Sequence, residues 1–401
     1  MSERDRAIKE LVEAYGPSSP LTAQPADSIP LAVPSFGGEE VAAAIDTLLK
    51  GWVTMGPQVK AFEQSWAQSV GVSHAIAVNS GSSALLVMLS ALVQGGYIPK
   101  GTEVAVPAVG WSTSLFSILN AGLKAVLVDV DAESLSLKGS FEQPVLAIHM
   151  LGAPADVESP LLMEDGCGAH GAKLRGQTVG SIGICGAFSF FFSHHLSTGE
   201  GGMITTNDPI LADICRGIRA HGWSRDRSDH LALAAQHPSI DPRFLFVQSG
   251  YNLRMTEVSG AFGVHQVPRL AGFVARRRRN HAHWCRLISE LQLPLRVFPE
   301  QEGAEHAGFA FPMLLAEDAP MRRSELCAAL EARNIQTRPI SGSNLARQPV
   351  FELLDNVRVE GPLTVADAVH ERGFFVGQSH AFDERQGQYL AASLRDIFKG
   401  F

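Results

Sequence analysis

Two adjacent histidines, His194 and His195, stand where an apolar segment gives way to a glycine-rich turn. The stretch 188–202 reads FSFFFSHHLSTGEGG, so both imidazoles follow a predicted strand. An imidazole can move a proton near neutral pH, but it cannot hold a carbonyl compound covalently as a lysine amine does. Neighbouring side chains on an extended segment point to opposite sides, which argues against a metal ion shared with Glu200. The pattern indicates a proton-transfer site.

Small and hydroxyl-bearing residues occupy positions 79–84, NSGSSA, between a short apolar strand and the helical run 85–92. Backbone N–H groups at a helix N-terminus converge on a dianion, and serine hydroxyls add further donors. The segment therefore predicts a phosphate site. A plain helix cap explains the same residues equally well when they are taken alone.

Glu164 and Asp165 end another predicted strand, at the edge where α/β sheets present ligand groups. A carboxylate there could keep the pyridine nitrogen of a bound cofactor protonated. A surface acid or a helix cap is the simpler interpretation of the pair by itself. Trp111, just past the strand 104–106, could stack on a flat ring or be an ordinary packed aromatic. His149 and His170 are expected in the core or lining a pocket.

Residues 166–171, GCGAHG, match the dinucleotide fingerprint GxGxxG by letter. The stretch that follows is too rich in glycine for the helix that the fingerprint requires, and no acid lies about twenty residues on at a second strand end. A nicotinamide site is therefore not predicted.

Apolar β-branched runs alternate with helical stretches along the chain, which predicts an α/β fold with helices on both faces of a mostly parallel sheet. The predicted division is an N-terminal arm at 1–30, a large domain at 31–270 and a smaller α+β domain at 271–401. The predicted elements are strands at 104–106, 125–130, 145–148, 161–165 and 306–315, and helices at 39–49, 267–291, 323–333 and 383–398.

The composition is that of an ordinary soluble protein, with 401 residues, 45% hydrophobic content and a formal net charge of −8. This charge argues against nucleic-acid binding, and the basic run 276–279 is expected to form a solvated or subunit-facing helix face rather than a phosphate site. No apolar run approaches the ~18 residues of a membrane span. The five cysteines are scattered without a CxxC pair, which argues against a metal or iron–sulfur site and favours the cytoplasm.

Taken together, these segments resemble the sugar aminotransferase family of fold-type I pyridoxal phosphate enzymes, and in particular its lysine-less dehydratase branch. The resemblance covers residues 30–401. It rests on the segments VPAVGWSTS (106–114), MEDGCGAHGA (163–172), FSFFFSHHLSTGEGGM (188–203), RAHGWSR (219–225), GYNLRMTEVSGAFG (250–263), TRPISGSN (337–344) and GFFVGQSH (373–380).

The resemblance implies a role for each matching residue in a homodimer that binds pyridoxal or pyridoxamine phosphate without a covalent bond. The implied set is His194 as the base in the lysine position, Asp165 on the pyridine nitrogen, Trp111 beside the ring, Ser82, Ser83 and Ser189 at the phosphate, and Asn252 reaching the phosphate from the partner subunit. Gly168 and the run SGSN at 341–344 depart from the family pattern, so the sugar or nucleotide can differ as well.

The activity that the resemblance implies is removal of the C3 hydroxyl from a nucleotide-linked 4-keto-6-deoxy sugar, with glutamate regenerating pyridoxamine phosphate. A reductive route through an iron–sulfur cluster would need clustered cysteines, which this chain lacks. Two alternatives stay open. One is a nucleotide-sugar aminotransferase in which His194 shuttles the proton and the product keeps its nitrogen. The other is a non-catalytic binding protein.

Overall fold

A computed structural model describes residues 3–17, 19 and 22–400 of the chain. Its strands are β1 His74–Val78, β2 Glu103–Pro107, β3 Lys124–Val128, β4 Lys138–Ser140, β5 Val145–Ile148, β6 Asp156–Glu158, β7 Leu162–Asp165, β8 Lys173–Leu174, β9 Gln177–Thr178, β10 Cys185–Ser189, β11 Gly202–Thr206, β12 Leu295–Val297, β13 Ala304–Glu305, β14 Ala310–Leu315, β15 Thr337–Pro339, β16 Val357–Glu360 and β17 Gly373–Gly377. Its helices are α1 Glu3–Tyr15, α2 Gly38–Leu49, α3 Pro57–Val70, α4 Gly81–Gln94, α5 Ser112–Asn120, α6 Pro209–Arg219, α7 His230–Gln236, α8 Glu257–Gln266, α9 Leu270–Ser289, α10 Arg323–Glu331, α11 Thr364–Arg372 and α12 Glu384–Phe398.

The largest sheet has eight strands in the order β1-β11-β10-β7-β5-β2-β3-β16. Only β11 runs antiparallel to its neighbours among these strands, so the predicted α/β fold with a mostly parallel sheet is confirmed. The central strands are almost wholly buried because helices cover both faces. The carboxyl ends of β2, β5, β7 and β10 share one edge, and the loops that follow them meet there.

A second, antiparallel sheet has the order β12-β14-β17-β15 and packs against α9, α10 and α12 around Trp284 and Phe311. This separate apolar core supports the proposed division into a large and a small domain. The strand β16, from the C-terminal part of the chain, pairs with β3 at the edge of the large sheet.

Several predicted boundaries shift in the structure. The strand predicted at 306–315 begins only at Ala310, since residues 306–309 form a loop between β13 and β14. Residues 3–15 of the predicted arm form helix α1. Within residues 3–17 and 22–400, none of the helices has the length and apolar character needed to cross a bilayer.

Candidate active site

The predicted phosphate site lies at the start of α4. Ser80 caps the helix by accepting from the backbone N–H of Ser83 at 3.1 Å, and the Ser83 hydroxyl donates to Asn79 at 2.6 Å. A Cβ placed on Gly81 would lie 2.6 Å from the Ser189 Cβ, so glycine is needed for this close approach. The structure thus brings Ser83 and Ser189 to the N-terminus of one helix, beside the exposed Ser82. This arrangement fits a dianionic phosphate.

The carboxylate of Asp165 is buried at the end of β7 and oriented by two donors. Its Oδ2 accepts from the Ser114 hydroxyl at 2.7 Å, and its Oδ1 accepts from the backbone N–H of Cys167 at 3.1 Å. Ser114 lies on α5, whose N-cap is Trp111. The hydrogen bond therefore ties the helix that carries the tryptophan to the strand that carries the acid.

Glu164 points to the other side of β7, as the alternation of a strand requires. Its fully buried carboxylate accepts from the backbone N–H groups of Gly180, Ile182 and Gly183 at 2.7–2.8 Å. His149 Nε2 lies 3.1 Å from the same carboxylate. These contacts give Glu164 a structural role and leave Asp165 as the candidate ligand.

Trp111 is 62% exposed, although it lies beside buried elements of the large sheet. This exposure argues against an ordinary packed aromatic and leaves a ring face open to a ligand. The predicted stacking role is consistent with its place at the start of α5, three residues before the partner of Asp165.

The two histidines do not lie on an extended segment, so that sequence expectation is wrong. Residues 191–196 turn, and the backbone N–H of His194 donates to the Phe191 carbonyl at 3.0 Å. As a result, both rings pack against Phe309, with centroids 5.2 Å from that of His194 and 5.8 Å from that of His195. Opposite orientation therefore does not distinguish them.

Burial distinguishes the two histidines instead. His195 is fully buried, and its Nε2 lies 3.0 Å from the Ala307 carbonyl. His194 is only half-buried, and its Nδ1, like that of His195, has no hydrogen-bond partner. His194 therefore remains the candidate base, for a reason that the sequence did not show.

The electrostatics keep His194 neutral near pH 7. Burial lowers its pKa to about 4, the positive charge of Arg277 adds to the effect, and the backbone of Phe191 opposes it. Burial also lowers the pKa of His195 and His170 well below the ordinary range. Since a general base must have a free lone pair, a neutral imidazole suits the proposed role.

These buried histidines predict acid sensitivity of the cofactor-free fold. Their folded-state pKa values lie below the ordinary 6.5, so the unfolded chain binds more protons and stability falls as pH drops below about 6.5. We expect urea midpoints to decrease from pH 7.5 to 5.5. The His170→Phe variant should flatten this dependence, because the ring packs among Trp66, Phe188 and Phe190. An unchanged slope in the variant would contradict the assignment.

Asn252 lies beside the phosphate loop of its own chain. The backbone N–H of Asn79 donates to the Leu253 carbonyl at 2.9 Å, and the Asn252 side chain accepts from Arg254 at 3.1 Å. Asn252 is exposed, so it is free to meet a second copy of the chain. Its predicted role at the partner's phosphate stays a prediction.

The lysines lie at the surface. Seven of the eight are exposed, and the half-buried Lys173 on β8 is 3.8 Å from Glu305. The exposed set is Lys9, Lys50, Lys60, Lys100, Lys124, Lys138 and Lys399. The segment around His194 therefore has a histidine and no lysine available for a covalent bond with a cofactor.

Sequence reasoning missed three residues that shape the site: Ser114, Phe309 and Arg277. Ser114 follows Trp111 at helical spacing, which could have indicated a shared role. The run 276–279 does not form a uniformly solvated face, since Arg277 is 3% exposed. Arg277 is four residues from each of the buried Phe273 and His281, so it lies on the inner face of α9. This helical spacing could have been noticed in the sequence.

The glycine-rich stretch after β7 does not form a nucleotide-binding helix. Residues 166–172 turn, and the next elements are the short antiparallel strands β8 and β9. The helix that the dinucleotide fingerprint requires does not follow these residues.

Comparisons with known proteins agree with this geometry. Residues 34–395 match the DegT/DnrJ/EryC1/StrS aminotransferase family. The chain is 35% identical over 394 residues to a GDP-4-keto-6-deoxy-D-mannose 3-dehydratase of Yersinia pseudotuberculosis, covering 92% of this chain and 97% of that protein. It is similar to a crystal structure of GDP-4-keto-6-deoxymannose-3-dehydratase, a histidine-to-asparagine mutant with bound GDP-perosamine, with a TM-score of 0.83 at 30% identity over 92% of this chain and 100% of that one. A second structure of that enzyme, with a trapped PLP-glutamate geminal diamine, gives a TM-score of 0.81 at 30% identity over 92% and 100% of the two chains.

Proposed function

We infer that this chain, which belongs to the DegT/DnrJ/EryC1/StrS aminotransferase family, is a pyridoxal-phosphate-dependent nucleotide-sugar 3-dehydratase. It removes the C3 hydroxyl of a nucleotide-linked 4-keto-6-deoxy sugar, and glutamate regenerates the pyridoxamine form of the cofactor. The observation that carries this conclusion is the neutral, half-buried His194 in a site from which the lysines are absent.

The residues present fit the cofactor. Gly81 lets the start of α4 approach Ser189 closely, so that helix N–H groups and serine hydroxyls converge on one place for a phosphate, and the carboxylate of Asp165 is oriented to hold a protonated ring nitrogen. Ser82 and Ser83 add hydroxyl donors to the phosphate site. Pyridoxamine phosphate, when bound, supplies an amine for the C4 ketone of the sugar and a ring that accepts electrons.

His194 performs the proton transfer in this proposal. With the cofactor bound, the neutral imidazole would accept a proton at the C4′ carbon, the carboxylate of Asp165 would hold the ring nitrogen, and Trp111 would contact the ring. A lysine at this position would return the proton to the sugar and complete a transamination. The aminotransferase alternative is therefore less favoured, and the relatives' names point the same way.

We also propose a specific substrate, an oligomeric state and a cellular location. GDP-4-keto-6-deoxy-D-mannose is the first substrate to test, because the relatives described above are named for acting on it. A homodimer is supported by the exposed aromatic residues Phe191, Phe192 and Tyr251 beside the site. The five free cysteines support a cytoplasmic location, where thiols stay reduced.

Product analysis tests the function. Incubation with GDP-4-keto-6-deoxy-D-mannose, pyridoxal phosphate and glutamate in heavy water should give a 3-deoxy-4-keto sugar with solvent deuterium at C3. Ammonia and 2-oxoglutarate should each appear once per sugar, without iron or an external reductant. CDP- and dTDP-linked sugars serve as the comparison for nucleotide preference. A stable 4-amino sugar with its C3 hydroxyl intact would overturn the dehydratase assignment and establish the aminotransferase.

A further inference from the structure

Arg277 is a buried cation behind the candidate base. It lies on the inner face of α9 and is 3% exposed. Its neighbour Arg278 forms ion pairs with Glu300 and Glu305, whereas no carboxylate of the described residues forms an ion pair with Arg277. Burying a guanidinium without a counter-ion is costly, so such a residue is expected to hold something in place.

Arg277 donates hydrogen bonds to the backbone of two segments, the loop at 307–309 and the residue after β17. Its Nη1 donates to the carbonyls of Gly308 at 3.2 Å and Phe309 at 3.3 Å, and also to the Gln378 carbonyl. Gly308 has a φ of +63°, and a Cβ there would lie 3.0 Å from the Arg277 Cβ. The glycine lets the loop approach the arginine this closely.

The other side of the same loop contacts the two histidines. The Ala307 carbonyl lies 3.0 Å from His195 Nε2, and the Phe309 ring packs against His194 with centroids 5.2 Å apart. The loop at 307–309 therefore lies between Arg277 on one side and the candidate base on the other.

We propose that Arg277 is a positioning residue for His194. Arg277 holds the loop at 307–309 in place and puts a permanent positive charge on the side of that loop opposite the imidazole. The proposal rests on the function of His194 as the base. The groups that face His194 are His170 from the loop after β7, His195 from its own turn and Arg277 from α9. A protonated His194 would be repelled by Arg277, whose positive charge also lowers the pKa of His170 and His195.

The direct test is a pH titration of His194 in the cofactor-free protein, monitored by NMR of ¹³C-labelled histidine. The signal of His194 is assigned as the one that disappears in His194→Asn. In the wild type the midpoint should lie near the pKa of about 4. In Arg277→Met it should move up only part of the way toward the ordinary 6.5, because the repelling charge is gone while burial, the largest cause of the low pKa, remains. Arg277→Lys keeps the charge and should keep the low midpoint. Arg279→Met removes an exposed charge from the same helix and should change nothing.

Turnover tests the positioning part. A misplaced base can lower the rate by about 10²-fold, so Arg277→Met should lower kcat by that order with little change in KM, and Arg277→Lys should recover part of the loss. An unchanged midpoint in folded Arg277→Met would overturn the proposal. If that variant does not fold, a midpoint raised in Arg277→Lys would overturn it equally. The titration needs no substrate, so the proposal can fail while the dehydratase function stands, and the reverse.

Discussion

Replacing His194 by asparagine is expected to lower turnover by about 10²–10⁴-fold, the usual loss when a general base is removed. Asparagine has a similar size and can still donate a hydrogen bond, but it cannot accept a proton from the cofactor. Binding of pyridoxal phosphate should persist, because the phosphate site at Ser83 and the carboxylate of Asp165 are untouched. Steady-state kinetics and an absorbance titration with the cofactor measure the two effects separately.

The matched control is His195→Asn. His195 is fully buried and bonded to the Ala307 carbonyl, so its loss should reduce the thermal stability while the folded enzyme keeps most of its turnover. A larger loss of turnover in His195→Asn than in His194→Asn would show that the wrong imidazole has been assigned as the base.

Replacing Asp165 by asparagine is the second change with a large expected effect. A neutral amide cannot keep a ring nitrogen protonated, so the bound cofactor would accept electrons poorly. Loss of one such oriented electrostatic contact lowers rates on the order of 10²–10³-fold. The amide oxygen can still accept from the backbone N–H of Cys167, and the Ser114 hydroxyl can rotate to accept from the amide NH2, so the fold should survive. Turnover and the absorbance spectrum of the bound cofactor are the measurements.

Ser114→Ala is the control for Asp165. It removes the 2.7 Å hydrogen bond but keeps the carboxylate, and a single net hydrogen bond of about 0.5–1.5 kcal/mol corresponds to roughly a two- to tenfold effect. If Asp165→Asn retained wild-type turnover, the carboxylate would not be the partner of the ring nitrogen. If Ser114→Ala lowered turnover as much as Asp165→Asn, the orientation of the Asp165 carboxylate would matter more to turnover than its charge.

The sequence by itself determined the parts of this protein that depend on local patterns. Continuous apolar runs identified β2, β3, β5 and β7, since buried parallel strands are apolar on both faces. The small residues after β1 predicted a phosphate site at the start of α4, and the end of β7 predicted a ligand role for Asp165; both stay predictions. The sequence also has His194 where the resemblance places the lysine of ordinary aminotransferases. This difference indicated the dehydratase branch.

Only the tertiary structure gave a physical reason to prefer His194 over His195 as the candidate base and showed what surrounds the two rings. Ser114 donates a hydrogen bond to Asp165, 51 residues away in the sequence, and Arg277 donates to carbonyls 31 and 101 residues away. Contacts at such separations leave no periodic signal in the sequence. The turn at 191–196, which overturned the expected opposite orientation of His194 and His195, packs against the distant Phe309. Local propensity gives the strand that leads to the site, and long-range packing decides how the chain turns after it.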